Sequence, residues 1–185
     1  LDEAYDAFRF NDDAVITAWD RSDRTLVRFG SASKSLALCG WRMGWVVADH
    51  GLAVRVAGAQ AALMNPPATP PQRALFALPE VPETYFETNR SEVRTRMGEL
   101  AQAMRSAGFE AALFAGGFYL WIDIRDRLGD ETSAAWCERL AADRGVGFWP
   151  GEDYGAPGYV RLALPQGDAW RDDVAELEHR LSAET

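Results

Sequence analysis

The chain has 185 residues, of which 48% are hydrophobic and 25% charged, the proportions of a soluble globular protein with one sizeable core or one and a half small ones. A formal net charge of −9 argues against nucleic acid and anionic membrane as partners, since both reward clustered positive charge. The longest apolar run, Ala111 to Ile122 with two glycines inside it, is too short to cross a bilayer. Asp2 and Glu3 stand where a signal peptide would carry basic residues. Cys39 and Cys137 make neither a disulfide framework nor a metal cluster, so a reducing, cytoplasmic setting is expected.

In chain order, LDEAY (Leu1 to Tyr5) reads as the end of a strand already in progress, and an amino-terminal part is expected ahead of it. Thr25 to Phe29 is a short apolar run ending at Gly30, and Gly44 to Ala48 is another; both read as buried strands. A turn-rich stretch, SASKSLALCGWRM, lies between them. Leu52 to Met64 has helical spacing and stops at Asn65-Pro66-Pro67. Pro70 and Pro71 precede a second short helical run, Gln72 to Leu78, closed by Pro79. The longest helical pattern runs from about Thr84 to Ala107, with Val93, Met97, Leu100, Ala101 and Met104 at three- and four-residue steps and Gly108 as its stop.

Beyond Gly108 the texture is α+β. Gly117 to Ile124 reads as an aromatic strand. Thr132 or Ser133 caps a helix that ends before Gly145. Gly158 to Leu164 reads as a strand, and Asp168 caps a last helix carrying Trp170, Val174, Leu177 and Leu181 on one side. The domain boundary is expected inside the long helix, with residues 1–86 on one side and 87–185 on the other. Trp41, Trp45 and Trp149 are assigned to the core, the commoner fate of tryptophan.

One compositional fact is sharper. The nineteen basic residues are eighteen arginines and a single lysine, Lys34. Arginine cannot lose its proton at any working pH and cannot be an amine nucleophile, whereas lysine can. A lysine retained in so arginine-rich a chain is either a random survivor of coding bias or a residue with chemistry to do. Its neighbourhood favours chemistry.

Ser31-Ala32-Ser33-Lys34, followed by Gly40-Trp41-Arg42-Met43-Gly44, resembles the cofactor-lysine signature of fold-type-I pyridoxal-phosphate enzymes, class I/II aminotransferases in particular. Glycine stands six residues after the lysine and arginine eight after it, as in that family. Three further stretches match in the family's order. They are Asp2-Glu3-Ala4-Tyr5, the strand Gly117-Phe118-Tyr119-Leu120-Trp121, and Pro150-Gly151 followed by Gly158-Tyr159-Val160-Arg161-Leu162. Four ordered motifs are far harder to produce by chance than one.

The resemblance implies an α/β fold: part of a large domain with a mostly parallel sheet wound with helices, then a smaller α+β carboxy-terminal domain. It also implies the carboxy-terminal half of an enzyme that works as a homodimer. Lys34 would form the Schiff base with pyridoxal 5'-phosphate and act as the general base. Asp2 would hold the proton on the cofactor's pyridine nitrogen, a charge-assisted bond of roughly 1.5–3 kcal/mol, and Tyr5 would donate to the ring oxygen. Arg42 and Ser31, with help from Ser33, would grip the phosphate, the guanidinium offering a planar donor fork. Arg161 would pair with the substrate's α-carboxylate. It stands in an otherwise apolar strand, where an arginine is costly without a partner. No metal ligand set is expected.

The reaction implied is transfer of an amino group between an amino acid and a 2-oxo acid. Two alternatives remain open at the level of sequence. Another enzyme of the same cofactor and fold, a β-lyase, a synthase or an oxidase, would use the same residues. The effector domain of a transcription regulator would carry a DNA-binding module in the preceding part. With several sheet strands absent, the piece by itself is expected to be poorly stable, prone to association and inactive.

Overall fold

The computed structural model describes residues 1–11 and 26–182. The chain divides into two units, Leu1–Arg90 and Ser91–Thr185.

The first unit is built around a small sheet. Strand β1 (Arg28–Ser31) pairs antiparallel with β2 (Gly44–Val47), with Ser31 opposite Gly44. The segment at Asp2 runs parallel to β1 on its other side through a bridge to Phe29, closed by Glu3 N–H donating to the Phe29 carbonyl at 2.8 Å. Arg28 and Glu3 reinforce that edge with an ion pair at 2.6 Å. The expected strand began at Thr25, which lies outside the described residues.

The described part of this sheet holds one antiparallel ladder and one parallel bridge, Asp2–Phe29. β1 and β2 are joined by the short helix α1 (Ala32–Ser35) and a 3-10 turn (Cys39–Trp41).

Helix α2 (His50–Leu63) starts at Asp49, whose carboxylate accepts from Gly51 N–H at 3.0 Å as an N-cap. It ends where Asn65-Pro66-Pro67 forbids continuation. Helix α3 (Thr69–Ala74) contains Pro70 and Pro71 in its first turn, positions where a missing N–H costs nothing. The prolines therefore open this helix instead of preceding it, and the run continues as a 3-10 turn through Glu80. Among the described residues of this unit, Phe8, Ala32 and Met43 are the buried hydrophobics, while Leu63 and Phe76 are 84% and 81% exposed.

The divide between the units falls within α4 (Glu83–Ser106), whose buried residues are Met97, Leu100, Ala101, Ala103 and Met104. The second unit carries an antiparallel sheet in the order β3 (Tyr119–Asp123), β5 (Tyr159–Ala163), β4 (Trp149–Pro150). Alternation is clean: Leu120, Ile122, Val160 and Leu162 are buried on one face, and Tyr119, Trp121, Tyr159 and Arg161 are half-buried on the other.

After the short helix α5 (Arg125–Leu128), α6 (Ser133–Arg144) is capped by Thr132, which accepts from Ala135 N–H at 3.1 Å. It stops at Gly145, whose φ of 66° lies in the left-handed region a C-cap needs. Trp136 of α6 is fully buried and meets Phe109 and Phe148 with ring centres 6.2 and 5.4 Å apart. Helix α7 (Trp170–Ser182) buries Trp170, Val174 and Leu181. Its first bonds run to the Ala169 carbonyl from Asp172 and Asp173.

No helix among the described residues is long and apolar enough to cross a membrane.

Candidate active site

Lys34 sits in α1, the single turn of helix that follows β1. Two backbone anchors hold this turn: Ala32 N–H donates to the Met43 carbonyl at 3.1 Å, and both Leu36 and Leu38 N–H groups return to the Ala32 carbonyl. The first bond brings the start of the lysine turn beside the Arg42–Met43 segment. The spacing of eight residues between Lys34 and Arg42 is thus the length of one closed loop on the end of the β1–β2 ladder.

That closure depends on close backbone approach. A Cβ on Gly44 would lie 2.7 Å from the Gly30 carbonyl oxygen, and a Cβ on Gly30 would fall inside the Trp45 ring, 2.1 Å from its nearest atom.

Lys34 is half-buried, and its ammonium nitrogen lies 5.8 Å from the centre of the Tyr5 ring. Tyr5 follows the Asp2 bridge and precedes the 3-10 turn Asp6–Phe8. Asp2 is exposed, and its Oδ1 accepts from Ala4 N–H at 3.0 Å. The Asp2–Tyr5 segment and the Lys34 turn therefore share one end of the small sheet.

Arg42 adopts φ 53° and ψ 45°, a left-handed backbone that a residue with a side chain rarely takes. Its guanidinium Nη1 donates to the Cys39 carbonyl at 3.1 Å. Cys39 Sγ in turn lies 3.4 Å from the Ser33 carbonyl. A cleft of about 720 Å³ opens beside Arg42 and is also lined by Gly40, Trp41, Gln60, Met64 and Asn65. A Cβ on Gly40 would meet nothing within 4 Å.

The donor set at this end is a primary amine, the hydroxyls of Ser31 and Ser33, and a guanidinium held in strained backbone beside open space. These donor types suit an aldehyde bearing a phosphate: the amine for the aldehyde carbon, hydroxyl and guanidinium donors for phosphate oxygens.

Arg161 belongs to the second unit. Its strand register sets it opposite Trp121 of β3 and Trp149 of β4. The guanidinium carbon lies 4.4 Å from the Tyr119 ring centre, 4.5 Å from Tyr154 and 5.7 Å from Trp149. Its Nε is buried without a hydrogen-bond partner in the structure.

The assignment of Trp41, Trp45 and Trp149 to the core is corrected, because all three are exposed. Trp45 covers Gly30, Trp149 stands across the strand from Arg161, and Trp41 lines the cleft. Sequence reasoning missed Tyr119, Tyr154 and Trp149 as neighbours of Arg161. Period-two alternation in YLWID and YVRLA could have placed Tyr119 on Arg161's side of the sheet; no local signal gives Tyr154 or Trp149.

The profile described as "Aminotransferase class I and II" matches residues 1–175. The chain belongs to the class I and II aminotransferase family. It is 28% identical over 165 residues to the aspartate aminotransferase of Thermotoga maritima, covering 88% of this chain and 41% of that protein. To the arginine–pyruvate transaminase of Pseudomonas aeruginosa it is 32% identical over 172 residues, covering 90% and 43%.

Solved aminotransferases share the fold. The crystal structure of the Thermotoga maritima aspartate aminotransferase superposes with a TM-score of 0.81 at 25% identity, over 99% of this chain and 46% of that one. The aromatic aminotransferase of Pyrococcus horikoshii gives 0.86 at 24%, over 99% and 49%. The chain thus spans less than half the length of these aminotransferases.

Proposed function

We propose that this chain is part of a pyridoxal-phosphate-dependent aminotransferase that moves an amino group between an amino acid and a 2-oxo acid, with Lys34 as the residue that holds the cofactor covalently. The observation that carries the proposal is the closed loop from Lys34 to Arg42. It folds the chain's only lysine against Tyr5 and sets a strained arginine beside an open cleft. Family membership supports the same reaction class.

When bound, the cofactor supplies an electron sink for the pair released as the substrate's Cα–H bond breaks. The chain's own residues have the remaining tasks. Lys34 Nζ would hold the cofactor and, as a free amine, would take the proton from the substrate Cα. Asp2 would hold the proton on the cofactor's pyridine nitrogen, and Tyr5 would donate to its ring oxygen. Ser31, Ser33 and Arg42 would grip the phosphate, and Arg161 would pair with the substrate carboxylate.

Residues 1–86 act in this reading as the cofactor-binding part and 87–185 as the smaller domain. The remaining length of the protein and a second copy of it are the partners, a reading supported by Leu63, Met64 and Phe76, which expose apolar surface in the first unit.

The test is covalent mapping on the full-length protein. Borohydride reduction followed by trypsin is expected to leave the cofactor's mass on the peptide spanning residues 29–42, uncut at Lys34 because the amine is blocked. The Lys34→Ala protein is expected to carry no such adduct. An unmodified Lys34 in protein saturated with pyridoxal phosphate overturns the proposal. Transfer of isotopic nitrogen from an amino acid to a 2-oxo acid separates transamination from elimination or oxidation on the same residues.

A further inference from the structure

The turn between β4 and β5, which carries Tyr154, is held from outside the sheet. It leaves β4 at Gly151 and reaches β5 through Gly158. Within it, Ala156 N–H donates to the Gly151 carbonyl at 2.9 Å and Gly155 N–H to the Glu152 carbonyl at 3.1 Å. Both ends are closely packed. A Cβ on Gly151 would run into the carbonyl oxygens of Ala156 and Tyr159, and one on Gly158, whose φ is 87°, would run into the Arg125 side chain.

These two ends are fastened to a single residue of another element. Ser133, the first residue of α6, is 0% exposed, the one polar residue buried among those described. Its N–H donates to Glu152 Oε1 at 2.9 Å, and its Oγ accepts from Gly158 N–H at 2.8 Å. The first N–H groups of a helix have no partner inside it, and the helix dipole favours a carboxylate there. Thr132 already serves α6 as the N-cap, so Glu152 reaches in from the turn as a second, distant acceptor.

This clasp is not the most stable arrangement available. Glu152 Oε2 is buried with no hydrogen-bond partner in the structure, and a carboxylate oxygen left so is costly. A hydroxyl acceptor would satisfy Ser133 N–H without it. What the clasp does fix is the residue two places further on. The Tyr154 ring lies 4.5 Å from the guanidinium carbon of Arg161, and its other ring neighbour is the edge of Trp121 at 5.7 Å. Tyr119 and Trp149, the other rings beside that guanidinium, are set by strand pairing. Tyr154 stands in the turn, with no ladder to set it.

We infer that Ser133 and Glu152 are positioning residues: a clasp on α6 that holds the Gly151–Gly158 turn closed and keeps Tyr154 against Arg161 while the guanidinium receives a carboxylate. The inference rests on the reading of Arg161 given above and involves neither Lys34 nor the cofactor.

The experiment measures the dissociation constant of propionate, an unreactive carboxylate, by calorimetry on the full-length protein carrying its cofactor. Glu152→Ala is expected to weaken propionate about three- to tenfold. Glu152→Gln, whose amide oxygen can still accept from Ser133 N–H, is expected to stay within about twofold. Tyr154→Ala is expected to weaken propionate to a similar extent, and adding Glu152→Ala to it to change nothing further, because residues that act through one another are not additive. Amide exchange at Ala156 and Gly158 is expected to quicken in Glu152→Ala and not in Glu152→Gln, a readout that needs no ligand.

Additive losses from Glu152→Ala and Tyr154→Ala, unchanged exchange, or faster exchange with propionate binding unmoved each overturn the inference. The reading beneath it fails by a different variant. If Arg161→Ala binds propionate as well as the parent protein, the carboxylate role of Arg161 falls and the clasp's role falls with it. A loss in Arg161→Ala with none in Glu152→Ala removes the clasp alone.

Discussion

The ammonium nitrogen of Lys34 lies 5.8 Å from the centre of the Tyr5 ring, a contact joining two segments separated by 29 positions in the sequence (34 − 5). It places a phenol beside the amine at the end of the small sheet, where the backbone bridge from Asp2 to Phe29 delivers it.

The hydrogen bond that the Tyr5 hydroxyl would donate to the cofactor is worth about 0.5–1.5 kcal/mol. Tyr5→Phe is expected to release cofactor about two- to tenfold faster on dialysis of the full-length protein. Equal loss from Tyr5→Phe and the parent protein would remove the hydroxyl from the site.

The glycines of the ladder make a second, internally controlled prediction. At Gly44 the added Cβ meets backbone, the Gly30 carbonyl oxygen, which cannot swing aside; at Gly30 it meets the Trp45 side chain. Overpacking of this kind costs about 1–3 kcal/mol. Thermal unfolding is expected to show both Gly30→Ala and Gly44→Ala destabilised. Adding Trp45→Ala should restore the first and leave the second unchanged. Equal rescue of both would mean that the ladder itself moves.

The same ladder shows where sequence reading stops. Helical periodicity located α4 to within a few residues, because Met97, Leu100, Ala101 and Met104 repeat on the buried side, and the cap signals at Thr132 and Gly145 located α6. The Lys34–Arg42 interval was visible because both ends lie on one local loop. The antiparallel hand of β1 and β2 is a property of their pairing, which a search for single strands does not give. The tryptophans were placed wrongly because burial was read from residue type, whereas Trp149 is exposed by its position on a two-residue edge strand opposite Arg161. The ring set around Arg161 comes from pairing between β3, β5 and β4, and such distant registers leave no local trace.

The two cysteines are expected to behave oppositely. Cys39 is exposed, and a thiol reagent should modify it at once in the folded protein. Cys137 is buried in α6, and burial, with the Glu152 and Asp153 carboxylates adding to it, pushes its thiol up to about 11 from 9.0. It should react only as fast as the unit unfolds. Because the fold favours the neutral thiol, stability from this group is intact below pH 9.0 and lost as the pH rises toward 11. Denaturant midpoints between those values should fall for the parent protein and fall less for Cys137→Ala; parallel declines would deny the coupling.

Asp123 titrates at the acid end. Hydrogen bonds from the Arg125 side chain and then from its backbone N–H hold the carboxyl at about 2, against an ordinary 3.8. The ionised form is the one the fold favours, so its contribution is present above about pH 4 and lost as the pH falls through 2. The carboxyl carbon shift of Asp123, followed by NMR, should show a midpoint near 2 that moves back toward 3.8 in Arg125→Ala.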